Sequence, residues 1–580
     1  MSGREDSAAL RTIMLTRRSL LGTAAGGAAL VAMGGLAPAF AQAQAPQHLK
    51  LLFWQAVTLL NPHFAIAPKD QEGCRIFYEP LAGWDSDGQL VPVLAANVPT
   101  VDNGQLASDN TSVVWKLKPD VKWHDGQPFT ADDVVFTWEY AKDPATAAVT
   151  IGSYRDITVE KVDDLTVKVS FPSATPYWAN AFVGALGMIM PKHVFADYVG
   201  EKSREAPANL APVGTGPYKL REFRPGDMIL ADRFDEYHVS GKPHFASLEV
   251  KGGGDAVSAA RAVLQTGEYH FGLNISIEDD ILTRLENDGN GTVDITAGGD
   301  LEMIQLNMSD PRKAEDGERS IASNPHPALS DPKVREALGL LIDRETIQKH
   351  IYGRTGISTA NFLNSPARYV SPNNMLVFNL EKANSILDEA GWLPGAGGIR
   401  EKDGVRLSFL FQTTVQALRQ KVQAVVKQSF AKAGIEVELK SVAPAVFFSS
   451  DEANPDTNSK FYADMQMYTT TMYQPDPERL MNQFVSWEVA SKANQWRGRN
   501  ITRWQNEEYD RVYREATREI DADKRSQMFV QMNDLIVQSN VVLPVVVRPA
   551  VAATAKDLKI YRSAWDNALW KIADWQFSAG

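Results

Sequence analysis

Apolar runs with strand-like spacing and apolar runs with helix-like spacing alternate along most of the chain. Residues 48–54 (HLKLLFW) and 165–171 have the short apolar pattern of strands. Residues 506–538 contain two acidic stretches with amphipathic helical spacing, and residues 541–548 are again strand-like. This alternation predicts an α/β or mixed α+β fold with a large buried core.

Helix ends in the second half of the chain are marked by capping signals. Ser330 is predicted to cap a helix that has Pro332 in its first turn. Further helices are predicted over residues 381–390 and 415–433, each followed by a glycine that stops it. A strand is predicted directly afterwards, over residues 435–439. Helices and strands therefore keep alternating to the end of the chain.

Residues 113–140 (VVWKLKPDVKWHDGQPFTADDVVFTWEY) predict a strand or hairpin, a turn and a capped helix in close succession. Their first half alternates between apolar and polar residues, as in a half-buried strand. Asp125-Gly126 is a turn signal. Thr130 and Asp133 have the spacing of a capping box at a helix start.

The amino-acid sequence of this segment resembles that of a known protein family. The string W-K-L-K-x-x-V-K-W-H-D-G-x-P-F-T-A-D-D-V is similar to the signature of the family 5 extracytoplasmic solute-binding proteins. These are receptors for peptides, opines and nickel that serve ABC importers. Residues 212–220 (PVGTGPYKL), residues 331–352 and Gly267-Glu268 are similar to further motifs of that family. The resemblance covers essentially the whole chain after the N-terminal segment.

The resemblance implies a two-lobed α/β fold, the periplasmic-binding-protein fold of the large three-domain type, with the ligand cleft between the lobes. Lobe one is expected to comprise residues 46–84, 211–305 and 541–580. An extra domain is expected to be inserted into lobe one over residues 85–210. Lobe two is expected over residues 306–540. The crossings between the lobes should act as hinges, and ligand should draw the lobes together.

A signal peptide is predicted at residues 1–41, with cleavage possible up to residue 45. A twin-arginine pattern, T-R-R-S-L-L, begins at Thr16, and residues 20–40 are uncharged and rich in Ala, Gly and Leu. An uncleaved membrane anchor is the alternative, which the many Gly and Ala residues disfavour. The expected location is therefore the periplasm, with no stable membrane insertion after cleavage.

The charge and the cysteine count narrow the function classes. A formal net charge of −12 argues against a nucleic-acid partner or an anionic membrane surface. Cys74 is the only cysteine, so an internal disulfide is excluded. Its apolar neighbours favour a small buried side chain over a reactive thiol.

Metal and nucleotide sites are not predicted. The nine histidines are scattered without ligand spacing, although nickel receptors occur in the family that the chain resembles. Residues 251–255 (KGGGD) have a lysine before the glycines, which is not the order of a phosphate-binding loop. We interpret this segment as a turn in which Asp255 caps the next helix. No cofactor is predicted.

One enzyme hypothesis has local support. Ser330 and Lys333 match the S-x-x-K motif of serine acyl-enzymes, and residues 108–110 supply S-D-N. The two motifs stand in the wrong order along the chain, and Ser330 also fits a helix cap. We keep a serine acyl-enzyme using Ser330 and Lys333 as the weaker alternative and predict no catalytic residues.

The resemblance places ligand contacts in three segments: the loop after the opening strand, residues 412–416, and residues 467–473 (MYTTTMY). The side chains expected to contact ligand are Trp54, Gln55, Gln412, Tyr468, Thr469, Thr470, Thr471 and Tyr473.

The chain departs from the peptide receptors at two of these positions. In those receptors a carboxylate at the position of Tyr473 grips the peptide ammonium, and an arginine near Gln412 or Thr413 holds the carboxylate. Tyrosine cannot replace a carboxylate facing an ammonium. Neutral donors and flat aromatic faces instead favour an uncharged or polyhydroxylated ligand, such as an oligosaccharide or a sugar-conjugated opine.

The predicted function is a periplasmic solute-binding receptor of an ABC importer. It should act as a monomer, capture a small peptide-like, opine or oligosaccharide ligand between two lobes, and deliver it to the membrane permease without covalent chemistry. A periplasmic ligand sensor or chaperone on the same scaffold is the alternative.

Overall fold

A computed structural model describes residues 48–449, 453–472 and 474–578. The described residues belong to one unit, residues 46–580. The predicted signal peptide at residues 1–41, with its cleavage points up to residue 45, lies outside the described residues, and so does Tyr473.

The first sheet is built around the opening strand, His48–Phe53, which alternates apolar and polar residues before a fully apolar end. This strand runs parallel to both of its neighbours, Ser247–Gly252 and Phe271–Leu273. In spatial order the sheet consists of Gly291–Thr296, Ala550–Ala555, Phe271–Leu273, His48–Phe53, Ser247–Gly252, Met228–Arg233 and Tyr218–Arg224.

The second sheet is centred on Leu301–Leu306 and Met465–Thr470, which pair antiparallel. Every residue of Leu301–Leu306 is buried, because helices cover both faces of the sheet. In spatial order the sheet consists of Ile357–Ser358, Val542–Val547, Leu301–Leu306, Met465–Thr470, Ser408–Thr414 and Glu436–Val442.

The chain crosses between these sheets at residues 297–300 and returns at residues 548–549. The predicted lobe boundaries, after residue 305 and before residue 541, grouped most of Leu301–Leu306 and all of Val542–Val547 with lobe one. Hydrogen bonds instead pair these two strands with each other in the second sheet. The difference arises because a buried apolar strand joins the sheet that contains its hydrogen-bonded neighbour strands. A single sequence does not reveal which strands those are.

A third sheet lies within residues 85–210, in the order Ser112–Lys116, Thr166–Ser170, Thr158–Asp163. The helix Ala131–Lys142 packs against it. The predicted capping box is confirmed. The Thr130 side chain accepts from the Asp133 backbone N–H, and the Asp133 side chain accepts from the Thr130 backbone N–H. Asp133 also accepts from the Trp123 indole at 3.2 Å and from the Lys192 backbone at 2.9 Å.

The remaining elements fill the layers around the sheets. The other helices are Pro68–Arg75, Lys192–Phe195, Ala256–Leu264, Asp279–Glu286, Pro332–Leu340, Arg344–Ile347, Leu380–Glu389, Ala417–Lys432, Pro444–Phe447, Glu478–Met481, Glu507–Ala516 and Ala522–Gln538. Short strand pairs and one short triplet are Ala82–Trp84 with Leu90–Pro92, Leu558–Lys559 with Gln576–Phe577, and Leu393–Pro394, Arg400–Lys402 and Val405–Arg406.

Most predicted helices agree with the structure to within two residues at either end. Asp255 is the N-cap of Ala256–Leu264, as predicted, with its carboxylate accepting from the Ser258 backbone. The prediction that Ser330 caps a helix is wrong. The cap of Pro332–Leu340 is Asp331, whose carboxylate accepts from the Lys333 backbone. A carboxylate also suits the positive end of the helix dipole.

Cys74 is fully buried, which confirms its predicted packing role. Burial raises the pKa of its thiol well above the ordinary value, so the nucleophilic thiolate is disfavoured.

The signature segment meets the G-T-G-P-Y motif through His124. The His124 backbone N–H donates to the Gly214 carbonyl at 2.9 Å. Its ring accepts from the Gly214 N–H at 3.1 Å and donates to the Gly216 carbonyl at 2.9 Å. Burial lowers the pKa of His124 to about 4, so the ring stays neutral and keeps this pattern of one donor and one acceptor. The two motifs are therefore one structural joint.

Glycine is required at this joint by close packing. A Cβ added at Gly214 would lie 1.8 Å from the Phe77 carbonyl oxygen, and one at Gly216 would lie 2.7 Å from it. Gly216 uses that contact, since its N–H donates to the Phe77 carbonyl at 2.8 Å.

A buried ion network joins the second sheet to the crossing. Glu302, with no exposed surface, accepts from the Arg419 guanidinium at 2.5 Å and from Arg548 at 3.2 Å. The Thr469 hydroxyl donates to Glu302 at 2.8 Å and accepts from Arg419 and Arg548 at 2.7 and 3.0 Å. Arg548 also donates to the Ser276 hydroxyl at 2.9 Å. Because Ser276 follows a strand of the first sheet, Arg548 ties the two sheets together.

The charges in this network compensate one another. Burial alone would raise the pKa of Glu302, but the two arginines outweigh burial and hold that pKa below its usual value. Glu302 therefore stays ionised, and removing either cation would leave a buried charge with poorer compensation.

We expect Gly214→Ala to destabilise the protein by about 1–3 kcal/mol, because the new methyl group has no space beside Phe77. Thermal and urea unfolding would measure the loss. Gly152→Ala is the matched control, since a Cβ at Gly152 meets nothing within 4 Å. Equal stability of the two variants would contradict the steric argument.

We expect Arg548→Met to lower the free energy of unfolding by about 3–5 kcal/mol, the usual cost of breaking a buried ion pair. Arg221→Met is the control. Its partner Asp232 lies at 2.8 Å on a half-exposed surface, where an ion pair contributes about 1 kcal/mol or less. Adding Glu302→Gln to Arg548→Met should recover part of the loss. Similar losses in the two single arginine variants, measured by urea unfolding, would refute the proposed importance of the network.

Candidate ligand-binding cavity

A cavity of about 240 Å³ opens at the carboxyl ends of the central strands of the first sheet. Because His48–Phe53, Ser247–Gly252 and Phe271–Leu273 are parallel, the loops that follow them emerge at the same edge. The cavity walls also include one face of the helix Pro68–Arg75, both crossings, residues 471–472 and the C-terminal residues 562–568. Segments from both sheets therefore meet at this cavity.

Trp54 and Gln55, the first predicted contacts, line the cavity. The Trp54 indole N–H donates to the Asn274 carbonyl at 2.8 Å, which joins the loops that follow two adjacent parallel strands. This bond fixes the ring while leaving it partly exposed. Gln55 is exposed, so its amide is free to reach a ligand.

Thr471 and Met472 form a wall that comes from the second sheet, directly after Met465–Thr470. They approach the crossing closely: a Cβ added at Gly299 would lie 2.6 Å from the Met472 Cβ. Trp565, from the C-terminal segment, is a second tryptophan in the cavity lining. Thr471 was a predicted contact, whereas Met472 and Trp565 were not.

Six charged residues are among those that line the cavity: Lys69, Glu72, Asp300, Arg548, Arg562 and Asp566. Several have protein partners. Lys69 pairs with Asp70 at 2.8 Å, and Arg562 pairs with Asp294 and donates to the Ala550 carbonyl at 3.2 Å. The sequence analysis expected mainly neutral donors here, so the cavity is more ionic than predicted.

Burial raises the pKa of two carboxyl groups in the cavity lining. It raises the pKa of Glu72 to about 7, against hydrogen bonds that its carboxylate accepts from the Ala568 and Leu569 backbones at 2.6 and 3.0 Å. Burial also raises the pKa of Asp300, opposed by Arg548 and by a hydrogen bond from the Thr471 hydroxyl. The charge of Glu72 therefore changes near neutral pH.

Four predicted contacts lie on strands of the second sheet and have internal partners. Gln412 donates to Gln466 at 3.1 Å, and the Tyr468 hydroxyl donates to Gln305 at 3.3 Å. Thr470 accepts from Gln483 at 3.3 Å. Thr469 belongs to the Glu302 ion network described above. None of these four lines the 240 Å³ cavity.

The position of these residues explains their burial. Met465–Thr470 is an interior strand with neighbours on both sides, so its alternate side chains enter one packed layer or the other. Thr471 and Met472, directly beyond its end, are the described residues of this segment that line the cavity. The predicted contact Tyr473 lies outside the described residues.

The arginines and acidic residues of the cavity were missed by the sequence analysis. Arg548 had a detectable signal, because a charged residue interrupts the apolar run of residues 541–547 just before Pro549. Glu72 and Arg562 had none, since nothing local distinguishes them from surface residues. Their presence in the cavity depends on long-range packing of the C-terminal segment against the helix Pro68–Arg75.

Ser330 and Lys333 are remote from the cavity lining. Ser330 is exposed, and the Lys333 ammonium pairs with Glu336 at 2.9 Å. That hydrogen bond raises the pKa of Lys333, which is the opposite of what a catalytic base requires.

Two further searches cover only the described part of the chain. No helix there is long and apolar enough to cross a membrane. No three His, Cys, Asp or Glu side chains converge there as ligands for a metal ion.

The chain is similar to known solute-binding proteins over most of its length. It is 26% identical to the oligopeptide-binding protein AppA of Bacillus subtilis, over 83% of this chain and 82% of that one. It is 24% identical to the glutathione-binding protein GsiB of Escherichia coli K12, over 90% and 91%. The crystal structure of NikZ from Campylobacter jejuni in complex with Ni(L-His) superimposes with a TM-score of 0.73 at 22% identity, over 91% of this chain and 99% of that one.

These matches confirm the predicted fold class, a two-lobed periplasmic-binding-protein fold. The profile of the bacterial extracellular solute-binding proteins, family 5 Middle, matches residues 89–492, which include the whole signature segment and the G-T-G-P-Y motif. The chain belongs to the family 5 bacterial extracellular solute-binding proteins.

Proposed function

We propose that this protein is the periplasmic solute receptor of an ABC importer. It captures a small organic ligand in the 240 Å³ cavity and presents the closed complex to a membrane permease. The observation that carries the proposal is the position of the cavity, which is walled by the first sheet, by the segment that follows Met465–Thr470 of the second sheet, and by both crossings between the sheets. A ligand there contacts the segments whose rotation would open or close the molecule.

The same observation favours binding over catalysis. Ser330 and Lys333 do not line the cavity, and charged residues of its wall, such as Lys69, Glu72 and Arg562, are held by structural partners. The receptor therefore releases its ligand chemically unchanged, and the ATPase that drives import is a separate subunit.

The proposed ligand contacts are Trp54, Gln55 and Thr471 from the sequence analysis, with Arg548 and Trp565 added from the structure. Tyr473 stays a prediction. Gln412, Tyr468, Thr469 and Thr470 support the cavity from the second sheet through their internal hydrogen bonds.

The ionic lining shifts the proposed ligand class. Rings at Trp54 and Trp565 suit a partly apolar ligand, and the surrounding cations and carboxylates suit one that is itself charged. A peptide-like or opine ligand fits this surface better than a neutral oligosaccharide.

Peptides of two to five residues, opines and oligosaccharides should be compared by thermal shift on protein purified without refolding. A ligand at a hundred times its dissociation constant stabilises the native state by about 2.7 kcal/mol, which is a measurable shift. We expect peptides or opines to raise the melting temperature. A shift with oligosaccharides alone would overturn the proposed ligand class, and no shift with any compound would count against the receptor function.

Trp54→Ala should weaken binding of the compound that gives the largest shift by about tenfold or more, since the ring would no longer cover the ligand. Phe378→Ala is the matched control, because this aromatic side chain is 46% exposed and outside the cavity lining. Isothermal titration would measure both. Equal affinity of the two variants would show that the ligand binds elsewhere.

A further inference from the structure

A second cavity, of about 90 Å³, adjoins the first. The two share Ala185, Thr471, Met472 and Trp565 in their walls. The second cavity lies between the short turn of helix Gly184–Leu186, which belongs to residues 85–210, and the segment that follows the strand Met465–Thr470. The two cavities are therefore neighbours that share part of their walls.

Two arginines, Arg479 and Arg499, line the smaller cavity. Among the described residues, neither guanidinium has a hydrogen-bond partner or a carboxylate oxygen within 4 Å. Both side chains are only partly exposed. The pKa of Arg499 is lowered, first by burial and then by the neighbouring charge of Arg479. Two like charges are thus held near each other without a direct counterion.

The acidic residues nearby are already engaged. Asp476, which also lines the cavity, is held by the Arg525 guanidinium in a two-point contact, one bond of which measures 2.9 Å. Glu478 accepts a short hydrogen bond from the Tyr513 hydroxyl, and burial raises its pKa. The Glu488 carboxylate accepts from the Arg499 backbone N–H at 3.5 Å and acts on the guanidinium only at longer range. None of these carboxylates neutralises the two arginines by contact.

Two uncharged side chains of the smaller cavity can also donate hydrogen bonds. Asn180 and Gln474 both face the cavity. The Asn180 carbonyl oxygen accepts from Ser153 at 3.4 Å, which leaves its amide N–H groups for another partner. A volume near 90 Å³ holds a single small group rather than a whole ligand.

We propose that Arg479 and Arg499 form a subsite for an oxyanion group of the ligand, a carboxylate or a phosphoryl group. Guanidinium groups match such oxygens with paired, charge-assisted hydrogen bonds. The inference deepens the proposed receptor function and rests on it. It assigns an acidic ligand whose body lies against Trp54 and Trp565 and whose anionic end enters the smaller cavity.

Succinate and inorganic phosphate are suitable fragment probes, with succinamide as the uncharged match for succinate. Trp84 and Trp565 line the subsite, so intrinsic tryptophan fluorescence can report binding alongside isothermal titration. We expect succinate or phosphate to bind and succinamide to bind at least tenfold more weakly. Tighter succinate binding assigns a carboxylate, and tighter phosphate binding assigns a phosphoryl group. Equal binding of succinate and succinamide, or no binding of either anion, would overturn the proposal.

Arg479→Gln and Arg499→Gln should each weaken anion binding by at least tenfold at constant ionic strength. Arg497→Gln is the matched control, because Arg497 is exposed and outside both cavities but carries the same charge two residues from Arg499. Equal effects of all three variants would indicate a diffuse field and would refute the subsite. Arg479→Lys, which keeps the charge, should retain part of the affinity and serves as a check on folding.

The outcome is separable from that of the receptor proposal. If peptides or opines bind the native protein while acidic members bind the arginine variants equally well, only the subsite is refuted. If the anions bind as expected but no peptide, opine or oligosaccharide does, the subsite stands and the proposed ligand classes fail.

Discussion

The buried carboxylate of Glu302 is the interaction on which the arrangement of the two sheets depends. An ion placed where no water reaches it is costly unless other charges compensate it. Arg419, from a helix of the second sheet, and Arg548, from the crossing, supply that compensation at 2.5 and 3.2 Å. Because Arg548 also reaches Ser276 beside the first sheet, the geometry that keeps Glu302 ionised also fixes where the chain crosses. Both crossings also form part of the cavity wall.

The signature segment has a structural task rather than a ligand-binding one. His124 holds Gly214 and Gly216 at their carbonyl groups, and both glycines pack against the Phe77 carbonyl at distances that no side chain allows. These contacts join residues 85–210 to the first sheet. None of residues 113–140 lines either cavity, so the segment that carries the family resemblance is separate from the proposed ligand contacts.

Local patterns predicted the elements well because their causes are local. The Thr130 capping box, the glycine that stops Ala417–Lys432 and the apolar opening strand are each determined by neighbours in sequence. The cavity was predicted only in part. Trp54, Gln55 and Thr471 follow directly after strands, and such positions face a sheet edge. Gln412 and Tyr468 have equally polar side chains, but they lie within strands and bond to other buried side chains, which depends on ladder partners far along the chain.

The presence of Arg479 and Arg499 changes the interpretation of Tyr473, which stands where peptide receptors have a carboxylate. On sequence alone, loss of an acidic position removed the grip on a ligand ammonium and favoured a neutral ligand. The structure adds partly buried cations without contacting counterions among the described residues at Arg479 and Arg499, six and 26 residues further along the chain. Exchanging an acidic contact for basic ones changes the preferred ligand charge from positive to negative and keeps recognition electrostatic. Glu72 lines the main cavity and loses its charge as the pH falls through about 7, because burial raises its pKa.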